Sequence, residues 1–219
     1  MTKKSSAARY TLNEDEIRKI IDSTSTRLER VIIKLFAYTG ARRYELTLLR
    51  FQDIKLGMPP DLGIIMMPTA KQERLSKADR DKIAYENARE IPILNKDLFD
   101  TLSDYIDILK VNRRVTPSSR LLQTRESESI TVTRLNQIVA DVANRVGVKP
   151  SNPKRKNVHP HLFRHSFVRY ARKNGLHDVI IKEILGHSKI ETTYNLYGRP
   201  SIQDMKEELH TKMGDFAGG

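Results

Sequence analysis

A chain of 219 residues with 39 Lys plus Arg against 27 Asp plus Glu carries a formal net charge of +12. That length suits one large domain or two small ones, its clustered apolar residues argue against global disorder, and its charge points to a polyanion, nucleic acid ahead of an anionic membrane. The absence of Cys excludes a disulfide framework, a thiolate metal site and a Cys nucleophile; with no secretory leader and no apolar run approaching the roughly 20 residues of a membrane span, the chain reads as soluble and cytoplasmic.

The first ten residues are polar and are expected to be a flexible segment. Thr11 to Glu14 reads as a capping box, with Thr11 at the N-cap. The helix behind it has Ile17, Ile20 and Ile21 on one face. A second helix covers about Arg27 to Tyr38, broken in its apolar run only by Lys34, and stops at Gly40. A short third helix carries Glu45, Leu46, Leu48 and Leu49. Phe51 to Lys55, Leu62 to Met67 and Glu90 to Leu94 are strand candidates, the first two joined by a turn at Gly57-Met-Pro-Pro60. Lys71 to Arg89 is highly charged and has no clean apolar stripe, so it reads as a long, mobile hairpin loop with room for a helical turn. Helical spacing returns with Leu98, Leu102, Tyr105, Ile106 and Leu109, and again with Leu135, Ile138, Val139, Val142 and Val146 facing inward. Helices over about Pro160–Asn174, His177–Leu185 and Ser201–Met213 complete a mainly α fold with a small antiparallel β-sheet (α+β), a single domain over residues 11–219.

The charge is uneven. Lys149, Lys154, Arg155, Lys156, Arg164, Arg169, Arg172 and Lys173 lie in one stretch without an Asp or Glu. A solvated face is the bland meaning of such a run, but a packed apolar helix side and three histidines within it favour a binding surface. Each cation set on a phosphate would add roughly 0.9 to the log–log salt slope.

Four segments carry the remaining signal: Thr39-Gly-Ala-Arg-Arg-Tyr-Glu-Leu46; Pro68-Thr-Ala-Lys-Gln72; His161-Leu-Phe-Arg-His165; and Leu185-Gly-His-Ser188 followed by Thr192-Thr-Tyr-Asn-Leu-Tyr197. In this order and spacing they resemble the boxes of the tyrosine recombinase (phage integrase) family over nearly the whole chain. The resemblance implies a recombinase catalytic-domain fold and site-specific DNA cleavage and rejoining through a 3′-phosphotyrosyl intermediate, with no metal, ATP or cofactor. It makes Arg42 and Arg164 the phosphate clamps and Lys71 the acid for the leaving 5′ hydroxyl. His161 would help move the tyrosine proton, His187 would bond a non-bridging oxygen, and Tyr197 would attack. Glu45 and His165 take supporting positions, and Lys154, Arg155, Lys156, Arg169, Arg172 and Lys173 fall to DNA binding.

The chemistry stands beside the resemblance. A phosphodiester broken without metal or Cys needs an oxygen nucleophile. A tyrosine phenol, with a pKa of about 10, is ionised in only about one molecule in a thousand at pH 7, a deficit of roughly 4 kcal/mol. A base and a cationic field can supply it, arginine forks can hold the developing charge, and the leaving oxygen needs an acid. Tyr194 competes with Tyr197, but lies seven residues after His187 where the family places its tyrosine nine or ten after. Lys77 and Lys82 compete with Lys71, which alone directly follows a strand; Arg89 matches the basic residue that opens the next strand. His161 and His165, four apart, could ligate metal, but no third ligand is evident. The family's usual N-terminal DNA-clamp domain is missing, leaving a fragment or a minimal enzyme with weaker duplex affinity. The expected partners are double-stranded DNA and further copies of the chain, a tetramer on DNA or a monomer without it. The helix over 201–213 docks either on a neighbouring protomer or on its own domain. A type IB topoisomerase-like enzyme, or a DNA-binding protein with an inactive site, is the alternative function.

Overall fold

The computed structural model describes residues 11–58, 61–69, 77–112, 114–150, 155–186, 200–214 and 216, with only the backbone of 77–80. The chain enters along a later helix rather than in a cap of its own. Leu12 is buried and its N–H donates to Ser166 Oγ at 2.7 Å, while Thr11 Oγ1 accepts from Arg169 Nη1 at 2.8 Å. The capping box therefore forms two residues later than expected. Asn13 Oδ1 accepts from Glu16 N at 2.9 Å and Glu16 Oε2 accepts from Asn13 N at 2.8 Å, opening α1 (Glu14–Asp22).

Helix α2 (Arg27–Thr39) is the axis of the core, buried without a break from Val31 to Thr39. Lys34, the one charge in that run, reaches Asp97 Oδ1 at 2.5 Å and Thr101 Oγ1 at 2.8 Å, so the ammonium is paired where it is buried. After Gly40 comes α3 (Arg43–Leu48), then a 3₁₀ turn at Phe51–Asp53. The strand expected from Phe51 begins only behind that turn, because Asp53 caps the Arg50 N–H at 2.8 Å and holds the backbone tight. The strands β1 (Ile54–Leu56), β2 (Gly63–Met67) and β3 (Arg89–Pro92) form an antiparallel sheet in the order β1-β2-β3. Ile54 pairs with Ile65 and Ile65 with Ile91, which lays the apolar positions on the core face.

Between β2 and β3 the loop expected over Lys71–Arg89 instead holds α4 (Lys77–Glu86). Among its described side chains only Ala84 is fully buried, packing with Leu48 and Tyr44, so too few apolar positions face inward to make a stripe. Helices α5 (Lys96–Asn112) and α6 (Val132–Arg145) pack against α2. Val146, expected inside, is the C-cap of α6 and 37% exposed; the chain turns there, and Val148 is the valine that packs inward.

Among the described residues, three more helices follow: α7 (Pro160–Lys173), α8 (Asp178–Leu185) and α9 (Ile202–Met213). Helix α9 buries Met205, Leu209 and Met213 in its own domain and packs against β3. Behind it Phe216 seats on Tyr170 with ring centroids 4.3 Å apart. No helix among the described residues is long and apolar enough to cross a membrane.

Candidate active site

The C-terminus of α8 organises the site. A helix end leaves carbonyls without intrahelical partners, and here arginines from three other elements take them. Arg89 Nε donates to Ile184 O at 2.6 Å, Arg164 Nη2 to Leu185 O at 2.8 Å, and Arg42 Nη1 to the same Leu185 O at 3.1 Å. Arg164 also donates through Nη1 to Gly40 O at 2.8 Å, joining the end of α2 to the end of α8. Two glycines permit this closeness. Both Gly40 and Gly186 lie in the left-handed region, at φ of 59° and 63°. A Cβ on Gly40 would stand 2.9 Å from Leu185 Cδ2, and one on Gly186 would stand 2.9 Å from Arg89 Nη1.

Glu45 holds the arginines from below. It is fully buried, and its two oxygens accept four N–H groups. Oε1 takes Arg42 Nη1 at 2.7 Å and Arg89 Nη1 at 3.2 Å, and Oε2 takes the Arg42 backbone N–H at 2.8 Å and Arg89 Nη2 at 3.0 Å. Burial pushes its carboxyl up, but the charge and hydrogen bonds of Arg89, with Arg42 behind them, outweigh that and leave the pKa lowered. Arg42 sits at the N-cap of α3 with its side chain 30% exposed, so part of its fork faces outward. Arg164 is 5% exposed; burial and then the charge of Arg42 lower its pKa to about 9, which keeps it protonated at neutral pH.

His161 lies in the first turn of α7, behind Pro160, and its ring meets His165 edge to face with centroids 4.4 Å apart. Partial desolvation, then His165 and Arg164, lower its pKa to about 4; His165 and His159 are lowered by burial and neighbouring cations as well. At pH 7 His161 is therefore neutral and able to accept a proton. An unfolded imidazole binds its proton near pH 6.5. The unfolded chain therefore takes up protons first, and stability should fall as pH drops from about 6.5 towards about 4, with no further loss from this group below that. Urea midpoints measured across that range should show the decline, and His161→Asn should make it shallower, leaving the part that His165 and His159 contribute.

The structure brings together Arg42, Glu45, His161, Arg164 and His165. Lys71, His187, Tyr194, Tyr197 and Lys154 lie outside the described residues. Of the basic run, Arg155 and Lys156 are exposed on the segment before α7. His161, His165, Arg169 and Arg172 are also exposed, at helical spacing, and make one solvent-facing stripe along α7. Among the described residues of this run, two cations have acidic neighbours, Arg172 with Asp178 at 2.9 Å and Lys173 with Glu14 at 3.6 Å. These are exposed pairs that hold little energy and can open. The described residues contain no cluster of three His, Cys, Asp or Glu placed to hold a metal ion.

Sequence reasoning placed Arg89 at the mouth of a strand but not in the site. In the structure it is 4% exposed and is the main partner of Glu45, 44 residues away. The only hint was a lone arginine before the apolar Ile91-Pro92-Ile93.

The phage integrase family model matches residues 10–203, a span that contains every residue of this cluster. The chain belongs to the phage integrase family. It is 29% identical to a tyrosine recombinase of Thermosipho africanus over 83% of its length and 54% of the relative's. It is 26% identical to the tyrosine recombinase XerD of Listeria innocua, over 92% of this chain and 62% of that one. Against XerA of Pyrococcus furiosus the figures are 27%, 90% and 60%. The chain thus spans little more than half the length of these integrase-family relatives. In three dimensions it resembles the XerA recombinase with a TM-score of 0.63 over 93% of this chain and 63% of that one, at 22% identity. The lambda integrase catalytic core matches with a TM-score of 0.58 and 18% identity, over 82% of this chain and 96% of that one. The fold is that of the tyrosine recombinase catalytic domain.

Proposed function

We propose that this integrase-family chain cleaves and rejoins duplex DNA at specific sites through a covalent 3′-phosphotyrosyl intermediate. The observation that carries the reading is the convergence of Arg42 and Arg164 on Leu185 O, two residues before His187 and twelve before Tyr197. Two fixed cations at that point suit a phosphate whose non-bridging oxygens gain charge during attack. The Tyr197 oxygen attacks phosphorus, its proton passing to neutral His161, and the bond from phosphorus to the 5′ oxygen breaks as Lys71 protonates that oxygen. His187 bonds a non-bridging oxygen. The phosphotyrosyl bond keeps the diester's energy, so rejoining by a 5′ hydroxyl needs neither ATP nor metal.

Duplex DNA as partner is supported by the structural relative XerH, solved bound to its difH substrate. Exchange between two duplexes calls for four copies of the chain on DNA. A gel assay for covalent protein–DNA adducts on a nicked duplex tests the chemistry. Tyr197→Phe should abolish adducts and Tyr194→Phe should retain them; adducts that survive Tyr197→Phe overturn the reading.

A further inference from the structure

Helix α4 is not simply laid on the surface. The Tyr85 hydroxyl lies 2.6 Å from Asp53 Oδ2 and 2.7 Å from Leu48 O, its one proton directed at these two acceptors. The Arg50 guanidinium covers the Tyr85 ring 4.2 Å from its centroid. Asp81, one turn earlier on α4, pairs with Arg120, and Arg120 donates to the same Leu48 O. The helix is therefore gripped at the C-terminal end of α3, the helix whose N-cap is Arg42.

The same helix is tied to the strand end ahead of Lys71. Thr69 N donates to Ala84 O at 2.9 Å, and Thr69 Oγ1 accepts from Arg89 Nη1 at 2.9 Å. Lys71 follows Thr69 by two residues, and the seven residues 70–76 connect Thr69 to the start of α4. The seat of α4 against Leu48 and Asp53 thus fixes where that connection ends and, together with Arg89, holds where it starts.

We propose that Tyr85, with Asp81 behind it, is a positioning residue for Lys71, holding α4 so that the lysine meets the leaving 5′ oxygen. This rests on the reading of Lys71 as the proton donor. Tyr85 touches no reacting atom; it acts through Ala84 and Thr69.

A leaving group that needs no proton separates positioning from general damage. The substrate is a nicked duplex whose cleavage site is first recovered from adducts that the wild-type chain forms on a random duplex pool. It is made twice, with an ordinary 5′ oxygen and with a bridging 5′ sulfur at the scissile bond. Tyr85→Phe keeps the ring under Arg50 and removes only the hydroxyl; Asp81→Asn weakens the second grip. Both should cleave the oxygen substrate at least about tenfold slower than wild type, and the sulfur substrate within about twofold of it. Lys71→Ala should show the same pattern more strongly, and thermal melts should confirm that both positioning variants are folded. Wild-type rates on both substrates, or equal losses on both, overturn the positioning role alone. No adducts from the wild-type chain, or a Lys71→Ala defect that sulfur does not relieve, overturn the functional reading instead.

Discussion

Replacing Glu45 by alanine should cost the fold about 3–5 kcal/mol, because it leaves a buried guanidinium without its counter-charge. Arg89 is 4% exposed and would keep only its bonds to Ile184 O and Thr69 Oγ1. Against a typical total of about 5–15 kcal/mol, that loss is a large share. Urea denaturation should show a lower midpoint at an unchanged slope. Glu45→Gln preserves the shape but loses the charge and part of the accepting capacity, so it should fall between. Adding Arg89→Met to Glu45→Ala should recover much of the loss, since the stranded charge is then gone. A Glu45→Ala loss below about 1 kcal/mol would place the carboxylate's role outside this pairing.

The second large effect is on chemistry. Arg164→Ala should slow cleavage by about a hundredfold or more, the usual scale for removing one preorganised donor from a developing oxyanion. Duplex affinity should change much less, because it is the sum of many phosphate contacts. Arg164→Lys should not restore the rate: one ammonium cannot reproduce the fork that spans Gly40 O and Leu185 O. Single-turnover cleavage and a binding titration on the same duplex measure the two quantities. Binding and cleavage lost in equal measure would reduce Arg164 to a general electrostatic residue.

Much of this architecture was legible because it is local. The spacing of Val31, Ile32, Leu35 and Phe36 makes a helix, and a glycine after it makes the stop. What was not legible depends on residues far apart in the chain. Thr11 with Glu14 and Asn13 with Glu16 both satisfy the capping pattern, and only the contacts of residues 11 and 12 to Arg169 and Ser166 select the second. Helix α4 escaped notice because it is anchored by hydroxyl and carboxylate groups, which leave no apolar period to read. Arg42 and Arg164 were singled out by motif, but their meeting on one carbonyl is a property of α8's last turn, and the pairing of Arg89 with Glu45, 44 residues apart, leaves no periodic pattern to read.

That last turn also sets a charge balance. Three guanidinium groups bring +3, Glu45 supplies −1, and the end of α8 adds roughly −0.5 through its aligned peptides, leaving roughly +1.5. A resting phosphodiester carries −1, and the five-coordinate phosphorus formed on attack approaches −2. The fixed surplus exceeds the charge of bound substrate and falls short of the charge at the barrier. In the proposed reaction the field therefore grows more favourable as charge builds on the phosphate: about half of the attraction at the barrier is already present in the ground state, and the half gained on the way is the share that lowers the barrier.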